Sequence, residues 1–187
     1  MKFLQIALAF LALSSMGAAW ASPGPWDTKN TLEEVTYDAF RTYKLGFDDL
    51  DGHVMCEKLP FEYDHNLKHA ISQLQAHPSF YDLKINGQFL YVFPRNKELR
   101  YAFLDKTISL DVSKMTVRDL VKNIGDQVGV PMAFWAISNG SRDAVITLKA
   151  KSITVREAFD FIVLHDCCTT WAITHFSSTP QDVVIEF

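Results

Sequence analysis

The sequence lacks a basic cluster and carries little net charge of either sign. Its 18 lysines and arginines are outnumbered by 22 aspartates and glutamates, which gives a formal net charge of −4. A protein that binds nucleic acid or an anionic membrane surface normally presents a basic face. The sequence therefore predicts no nucleic-acid partner.

The short motifs of catalysis and cofactor binding are also missing. The sequence contains no G-x-S-x-G nucleophile motif, no phosphate-binding P-loop and no dinucleotide glycine pattern. His65 and His69 have a spacing that can place two metal ligands on one helix face, but no third ligand follows them. The acidic segment Asp48-Asp49-Leu50-Asp51-Gly52 lacks the alternate ligand spacing of a calcium loop. We therefore expect no catalytic site, no cofactor and no bound metal.

Cysteine is scarce, since the sequence has only Cys56, Cys167 and Cys168. In an oxidising compartment three cysteines allow one disulfide and leave one thiol over. We expect Cys56 to pair with Cys167 or Cys168, and the alternative is that all three are small buried apolar residues. The alternative to a non-enzymatic protein is a small thiol enzyme or ligand-binding protein that uses Cys167, Cys168 and His165. A nucleophilic cysteine needs a base beside it, whereas His165 is expected at the same helix end.

The sequence has one long apolar run, at its N-terminus. Lys2 precedes an apolar stretch over residues 3–13, and Ala19-Trp20-Ala21 fits the small-x-small rule for signal cleavage. We interpret residues 1–21 as a secretory signal peptide that is cleaved after Ala21. The stretch is shorter than the roughly 20 residues of a membrane-spanning helix, which makes a retained anchor the less favoured alternative. We expect no integral membrane span after cleavage.

An internal repeat is the most informative feature that the sequence contains. Residues 113–119 recur as residues 150–157, and each copy follows a strand-like run and opens an amphipathic helix. In each copy a threonine cap is followed three positions later by an acidic residue, as in a capping box. Further strands are expected at 132–137, 171–176 and 183–187, with Trp135, Trp171 and Phe187 in the core. Residues 107–187 therefore predict a compact α+β sandwich of order β-α-β-β-α-β-β.

A weaker copy of the same pattern lies upstream. The segment that begins at Asn66 has the same order of cap, apolar and basic residues as the segment that begins at Thr154. A strand is expected before it, at residues 53–59. Asn86-Gly87 between two alternating runs predicts a β-hairpin. A helix is expected over residues 31–45. The chain then divides into an N-terminal α+β region, 22–98, with a helix and a half-repeat, and a second domain, 105–187. The first region is either a separate half-domain or packs onto the second domain as one core.

Residues 107–187 resemble the secretin and TonB-receptor short N-terminal domain, also called the STN or secretin N-domain. The family pattern is a strand, a capped helix that ends near glycine, two strands, a second capped helix and a final hairpin. A departure is Cys167-Cys168-Thr169-Thr170, which stands where the family often has a glycine-containing turn. The matching segments are residues 108–112, 116–129, 145–149, 154–165 and 183–187.

The resemblance implies an exported periplasmic module for protein–protein interaction. Such domains dock through a helix face or by pairing a sheet edge with a partner strand. The implied role is an accessory component of an outer-membrane secretion, pilus or conjugation system, or of a TonB-linked signalling system. The implied partners are secretin, pilus, conjugation or TonB-dependent components, with self-association and association with the outer membrane left open. A secretin would continue into a pore domain, and a TonB-dependent receptor into a plug and barrel, but neither is seen after Phe187. We therefore do not expect this chain to be the channel itself.

Overall fold

The computed structural model describes residues 30–48, 58–77, 79–135, 144–165, 168–175 and 183–187. Within these ranges the chain forms four α-helices, eight β-strands and two 3₁₀ helices, the latter at Lys97–Leu99 and Ala102–Asp105. The predicted α+β class is confirmed. The helices are α1 (Leu32–Phe40), α2 (Leu67–Ala76), α3 (Val117–Val128) and α4 (Val155–His165). The strands are β1 (Lys44–Phe47), β2 (Tyr81–Asn86), β3 (Phe89–Pro94), β4 (Thr107–Thr116), β5 (Met132–Trp135), β6 (Val145–Thr154), β7 (Thr170–His175) and β8 (Val183–Glu186).

Six of these strands form one mixed sheet in the order β2-β3-β1-β7-β8-β5, and β4 and β6 form a separate antiparallel pair. The β2–β3 and β7–β8 pairs are antiparallel. Strand β1 is parallel to both β3 and β7, and β5 is parallel to β8. Because β1 pairs with β7, the six-stranded sheet contains strands from both of the regions 22–98 and 105–187.

Side-chain caps begin the helices of the internal repeat, as the sequence pattern predicts. The Asp119 N–H donates to Thr116 Oγ1 at 3.2 Å, at the start of α3. At the start of α4 the Glu157 N–H donates to Thr154 Oγ1 at 3.2 Å, and the Thr154 N–H donates to the Glu157 carboxylate at 2.8 Å. This reciprocal pair is a capping box. Helix α3 ends at Gly129, whose φ of 73° is the left-handed conformation of a C-terminal glycine cap.

The upstream hairpin and helix are also confirmed. Asn66 caps α2, where its side chain accepts the His69 N–H at 3.2 Å. Strands β2 and β3 pair in register from Tyr81 with Pro94 to Asn86 with Phe89. Gly87, in the turn, has a φ of 59° that glycine adopts without steric cost.

The helix predicted over residues 31–45 ends earlier than expected. Helix α1 stops at Phe40, and Lys44–Phe47 is strand β1. The prediction was wrong at this end because β1 has a partner strand on each side, so tertiary pairing satisfies its backbone groups better than a further helical turn would. Of the strand predicted at 53–59, most lies outside the described residues, and Lys58 forms an isolated bridge with Thr31.

The central sheet separates two hydrophobic clusters. Helices α3 and α4 and the β4–β6 pair contribute to the larger cluster, whereas α1 and α2 contribute to the smaller one. Alternate strand residues point to opposite faces, and β3 follows this rule. Because the two clusters lie on opposite faces, helices cover both faces of the sheet. On the strands, Phe89, Tyr91, Trp171 and Ile173 enter the larger cluster, and Leu90, Val92, Leu45 and Ala172 enter the smaller one.

The two strand tryptophans lie in different environments. Trp171 is fully buried and Phe187 is 2% exposed, so both core predictions are confirmed. Trp135 is 49% exposed, and its predicted place in the core is wrong. The reason is the alternation along the edge strand β5, where half-buried Met132 and Phe134 face the larger cluster and Trp135 faces the other way.

Gly46 allows β1 to pass beside two aromatic rings. It pairs with Tyr91 on one side and with Trp171 on the other. A Cβ atom on Gly46 would lie 2.8 Å from Tyr91 Cδ1 and 2.8 Å from Trp171 Cζ2. Carbon atoms in contact are normally about 3.5–4.0 Å apart. Glycine is therefore required at position 46, because the three strands leave no space there for a side chain.

Replacing Gly46 with alanine should force the rings apart. We expect Gly46→Ala to lower the free energy of unfolding by about 1–3 kcal/mol, as overpacking does in well-packed cores. Urea unfolding measures the loss, and near-UV circular dichroism should show a changed Trp171 environment. Gly87→Ala is the control, because a Cβ there meets no atom within 4 Å and only the backbone strain of a φ of +59° remains. An unchanged near-UV spectrum in Gly46→Ala would contradict the packing argument.

Candidate functional site

The histidine pair considered for metal binding is divided between two carboxylates. His65 lies before α2, rather than on its face, and its Nδ1 is 2.8 Å from an Asp38 carboxylate oxygen. His69, in the first turn of α2, has its Nδ1 2.8 Å from the Asp64 carboxylate. Each ring thus has its own acidic partner. No group of three or more histidine, cysteine, aspartate or glutamate side chains in the described ranges is placed to hold a metal ion.

The thiol site considered from the sequence is only partly described. Cys56 and Cys167 lie outside the described residues, and so does the predicted disulfide. Cys168 is buried at 7% exposure. His165 is exposed at the end of α4, where its ring stacks on Phe161 at 3.8 Å between centroids and its Nδ1 is 3.0 Å from the Phe161 carbonyl oxygen. Both contacts hold the imidazole against the preceding turn of α4.

A buried ion pair lies where β1, β3, β7 and α4 meet. Asp48, directly after β1, is 2% exposed, and Arg156 occupies the first turn of α4. The guanidinium donates to both Asp48 carboxylate oxygens, with 2.8 Å between Nη2 and Oδ2. It also lies 5.2 Å from the Tyr91 ring centroid and 5.8 Å from that of Trp171. Bidentate pairing with a carboxylate needs the planar guanidinium of arginine, which also interacts favourably with aromatic rings.

Asp160 lies one helical turn further along α4 and joins the same group. The Tyr91 hydroxyl donates to its Oδ2 at 2.5 Å, and Trp171 Nε1 donates to its Oδ1 at 2.7 Å. Burial raises the pKa of Asp160 to about 6, although these hydrogen bonds and the Arg156 charge act in the opposite direction. Burial also raises the pKa of Tyr91, and its hydroxyl is a proton donor at neutral pH. We call these five residues, Asp48, Tyr91, Arg156, Asp160 and Trp171, the junction cluster.

An open cleft with a volume of about 380 Å³ borders the junction cluster. It lies between the turn that joins β2 to β3 and the outer side of α4. Apolar residues, the two amide residues Asn86 and Gln88 and two carboxylates line it, and we call it the α4 cleft. Its lining residues are Asn86, Gly87, Gln88, Phe89, Tyr91, Ile153, Glu157, Asp160, Phe161 and Leu164.

A second cleft, of about 360 Å³, lies between α3 and β5, and we call it the β5 groove. Strand β5 is at the end of the six-stranded sheet and pairs with β8 alone among the described strands. Helix α3 approaches the strand closely here, since a Cβ on Gly125 would lie 3.1 Å from Met132 Cγ. Residues from both elements line the groove: Arg118, Lys122, Asp126, Pro131, Met132, Ala133 and Phe134.

The backbone of β5 presents hydrogen-bonding groups on its outer side. The Phe187 N–H donates to the Trp135 carbonyl oxygen at 3.2 Å, which places the polar backbone groups of Trp135 and Ala133 toward β8. Successive residues of a strand alternate, so those of Met132 and Phe134 point away from β8. Among the described strands none pairs with this side of β5, and edge groups of this kind can accept another strand.

The β5 groove is lined by two basic residues, Arg118 and Lys122, with different partners among the described residues. Lys122 forms an exposed ion pair with Asp126 at 2.7 Å. Arg118 is exposed, and within the described part of the chain its guanidinium forms no ion pair or hydrogen bond. An acidic side chain beside Arg118 would therefore find a complementary charge.

The sequence pattern did not indicate the junction cluster. Asp48 and Arg156 are 108 positions apart, and Tyr91 is 69 positions from Asp160. A signal was present in α4, where Asp160 interrupts the otherwise apolar run Ala158 to Leu164. A carboxylate within a buried helical stripe requires a partner, but the sequence does not identify which one.

Comparison with protein-family models finds no match, and comparisons with curated proteins and with solved structures find none either. Of the helices in the described ranges, none is long and apolar enough to cross a membrane.

The Asp48–Arg156 pair should show strong coupling. Removing one partner leaves a buried charge uncompensated, so we expect Asp48→Asn and Arg156→Met each to cost about 2–4 kcal/mol of unfolding free energy. The double variant should lose clearly less than the sum, as measured by urea unfolding at pH 7. Asp111→Asn is the control, because it breaks an exposed 3.0 Å pair with Lys149 and should cost less than about 1 kcal/mol. Additive losses at Asp48 and Arg156 would contradict the coupling.

Asp160 should make the protein less stable as the pH rises. Its pKa is about 6 in the fold and about 3.8 for the free side chain, so the folded state binds more protons between these values. The stabilisation is complete below about pH 4 and is lost as the pH passes through about 6. We expect a loss of about 1–2 kcal/mol over this interval, reduced by partial solvent exposure.

Asp160→Asn is the matched variant for this pH dependence. The amide can accept from Trp171 Nε1 and donate to the Tyr91 hydroxyl oxygen, so the hydrogen bonds survive without a titrating group. Urea unfolding between pH 4 and 7.5 should therefore give a flatter profile for Asp160→Asn than for the unmodified protein. Parallel profiles would show that another group causes the pH dependence.

Proposed function

We propose that the protein is an exported interaction module of the bacterial cell envelope that binds an extended segment of another envelope protein along β5. The observation that carries this proposal is the outward-facing backbone of Met132 and Phe134 beside the β5 groove. Addition of a strand to an exposed sheet edge is an established mode of peptide recognition, in which backbone bonds give affinity and side-chain pockets give specificity.

The groove suits a segment that carries an acidic residue. A strand added to β5 would place every second side chain on the α3 side, above Met132 and Phe134. There Arg118 offers its guanidinium, while Lys122 is already paired with Asp126. The occupant that we propose is therefore an extended peptide with apolar residues and a carboxylate that reaches Arg118.

We further propose that this docking takes place in the periplasm, as part of an outer-membrane secretion, pilus or conjugation system or of a TonB-linked signalling system. The resemblance of residues 107–187 to the STN domain supports this setting. Two observations are compatible with the resemblance: the element order β4-α3-β5-β6-α4-β7-β8 and the glycine cap at Gly129. The signal-like residues 1–21 support export.

Site-specific photocrosslinking in living cells tests the docking edge. A photoreactive amino acid at Ala133, exposed on β5, should give an adduct with an envelope protein, and one at Lys149, exposed on β6, should not. Mass spectrometry should place the crosslink in an extended segment that contains aspartate or glutamate. Adducts with a second copy of this chain alone, or equal adducts at both positions, would overturn the proposal.

A synthetic peptide of the crosslinked segment then tests the mechanism. We expect Arg118→Glu to weaken peptide binding about tenfold or more by replacing attraction with repulsion. Methylation of alternate backbone nitrogens of the peptide should abolish binding if strand pairing provides the affinity. Lys151→Glu, on exposed β6, is the charge-matched control and should leave the dissociation constant unchanged. Insensitivity to backbone methylation would exclude strand addition.

A further inference from the structure

The α4 cleft combines an aromatic floor with an acidic wall. Phe89 and Tyr91 stack with their ring planes 12° apart and their centroids 5.9 Å apart. Across from them, Phe161 is half-buried and Leu164 is 44% exposed. The volume of about 380 Å³ is within the range of small-molecule sites.

The carboxylates of the cleft retain hydrogen-bonding capacity. Asp160 accepts one bond at each oxygen, from Tyr91 and Trp171, whereas a carboxylate can accept about four. Glu157 is exposed and uses its Oε2 for the α4 cap. Each carboxylate can therefore accept a further donor from the cleft.

The two charged residues that line the cleft, Glu157 and Asp160, are both acidic. Among the described residues no lysine or arginine lines it. Lys44, next to Phe89 on the sheet, has its Nζ 3.1 Å from the Cys168 carbonyl oxygen, and Arg156, the one cation of the junction cluster, is held by both oxygens of Asp48. Asp105 adds another carboxylate, 3.9 Å from Arg156 Nε. Asp48 and Asp105 thus already balance the charge of Arg156. The charges of Glu157 and Asp160 therefore remain to attract a cationic ligand and repel an anionic one.

We propose that the α4 cleft binds a small free alkylamine, with its ammonium group at Asp160 and Glu157 and its carbon chain against Phe89, Phe161 and Leu164. An ammonium offers three donors to acceptors that are not saturated, and aromatic faces attract cations. The β2–β3 turn that borders the cleft belongs to the sheet edge opposite β5. The amine site is therefore separate from the proposed protein-docking edge, and this proposal does not depend on that one.

The amine site is tested by adding 1-pentylamine to the protein at pH 7.5 and monitoring the amide signals by NMR. At this pH Asp160 is mostly ionised, because its pKa is about 6. We expect 1-pentylamine to shift amide signals of the β2–β3 turn and α4 saturably, and 1-pentanol and pentanoate to bind at least tenfold more weakly. Equal binding of pentanol would show that the carboxylates play no part and would overturn the proposal.

Conservative variants assign the charge effect to the two carboxylates. Asp160→Asn can keep its bonds to Tyr91 and Trp171, and Glu157→Gln can keep the helix cap, so both variants should fold. We expect each to weaken pentylamine binding about tenfold, as the loss of a charge-assisted hydrogen bond does. Asp111→Asn, on the separate β4–β6 pair, should leave the dissociation constant unchanged. Equal losses in all three variants would indicate nonspecific attraction and refute the site.

A last comparison distinguishes a free amine from a lysine side chain of a partner. Nα-acetyl-lysine amide carries the same ammonium group and a four-carbon stem on a peptide-like unit. Tighter binding of 1-pentylamine supports the free-amine assignment, because the open cleft then gains nothing from a peptide backbone. Tighter binding of the lysine derivative would overturn that assignment and make the cleft a site for a basic side chain.

Discussion

The pairing of β1 with β7 is the constraint on which the rest of the structure depends. This parallel pair joins the upstream hairpin to the strands that follow α4, and Gly46 makes it sterically possible. The Asp48–Arg156 ion pair then ties the end of β1 to the start of α4. A parallel pair between distant segments gains stability only after a large loop has closed. A buried bidentate ion pair at the same place favours this register over others, because a shifted strand would leave both charges unpaired.

Much of the local structure could be predicted because it depends on neighbouring residues. The threonine caps of α3 and α4, the glycine at the end of α3 and the Asn86-Gly87 turn each act within a few positions. The strand and helix order of residues 107–187 follows from these signals and from apolar spacing. Local agreement of caps, turns and periodicity is what makes a sequence foldable, and for the same reason it can be interpreted from sequence.

The remaining features depend on contacts between distant residues. Lys44–Phe47 is too short to be distinguished from the end of a helix until its two partner strands are known. Trp135 has the spacing of a core residue, but its strand is the last in the sheet, and one face of an edge strand can be exposed. Neither proposed site could be predicted, because the α4 cleft needs the β2–β3 turn against α4 and the β5 groove needs α3 against an unpaired edge.

Asp160 lowers the stability of the fold at neutral pH, which a purely structural hydrogen-bond network would not require. The Tyr91 hydroxyl and Trp171 Nε1 both donate to it, and an asparagine could serve both partners without a charge. An aspartate adds a burial penalty at neutral pH, which its raised pKa expresses. Groups that retain a charge at the expense of stability occur often at binding and catalytic sites. A ligand that carries a positive charge would offset this penalty when bound, so the destabilising carboxylate becomes understandable if the α4 cleft is occupied by an amine in the cell.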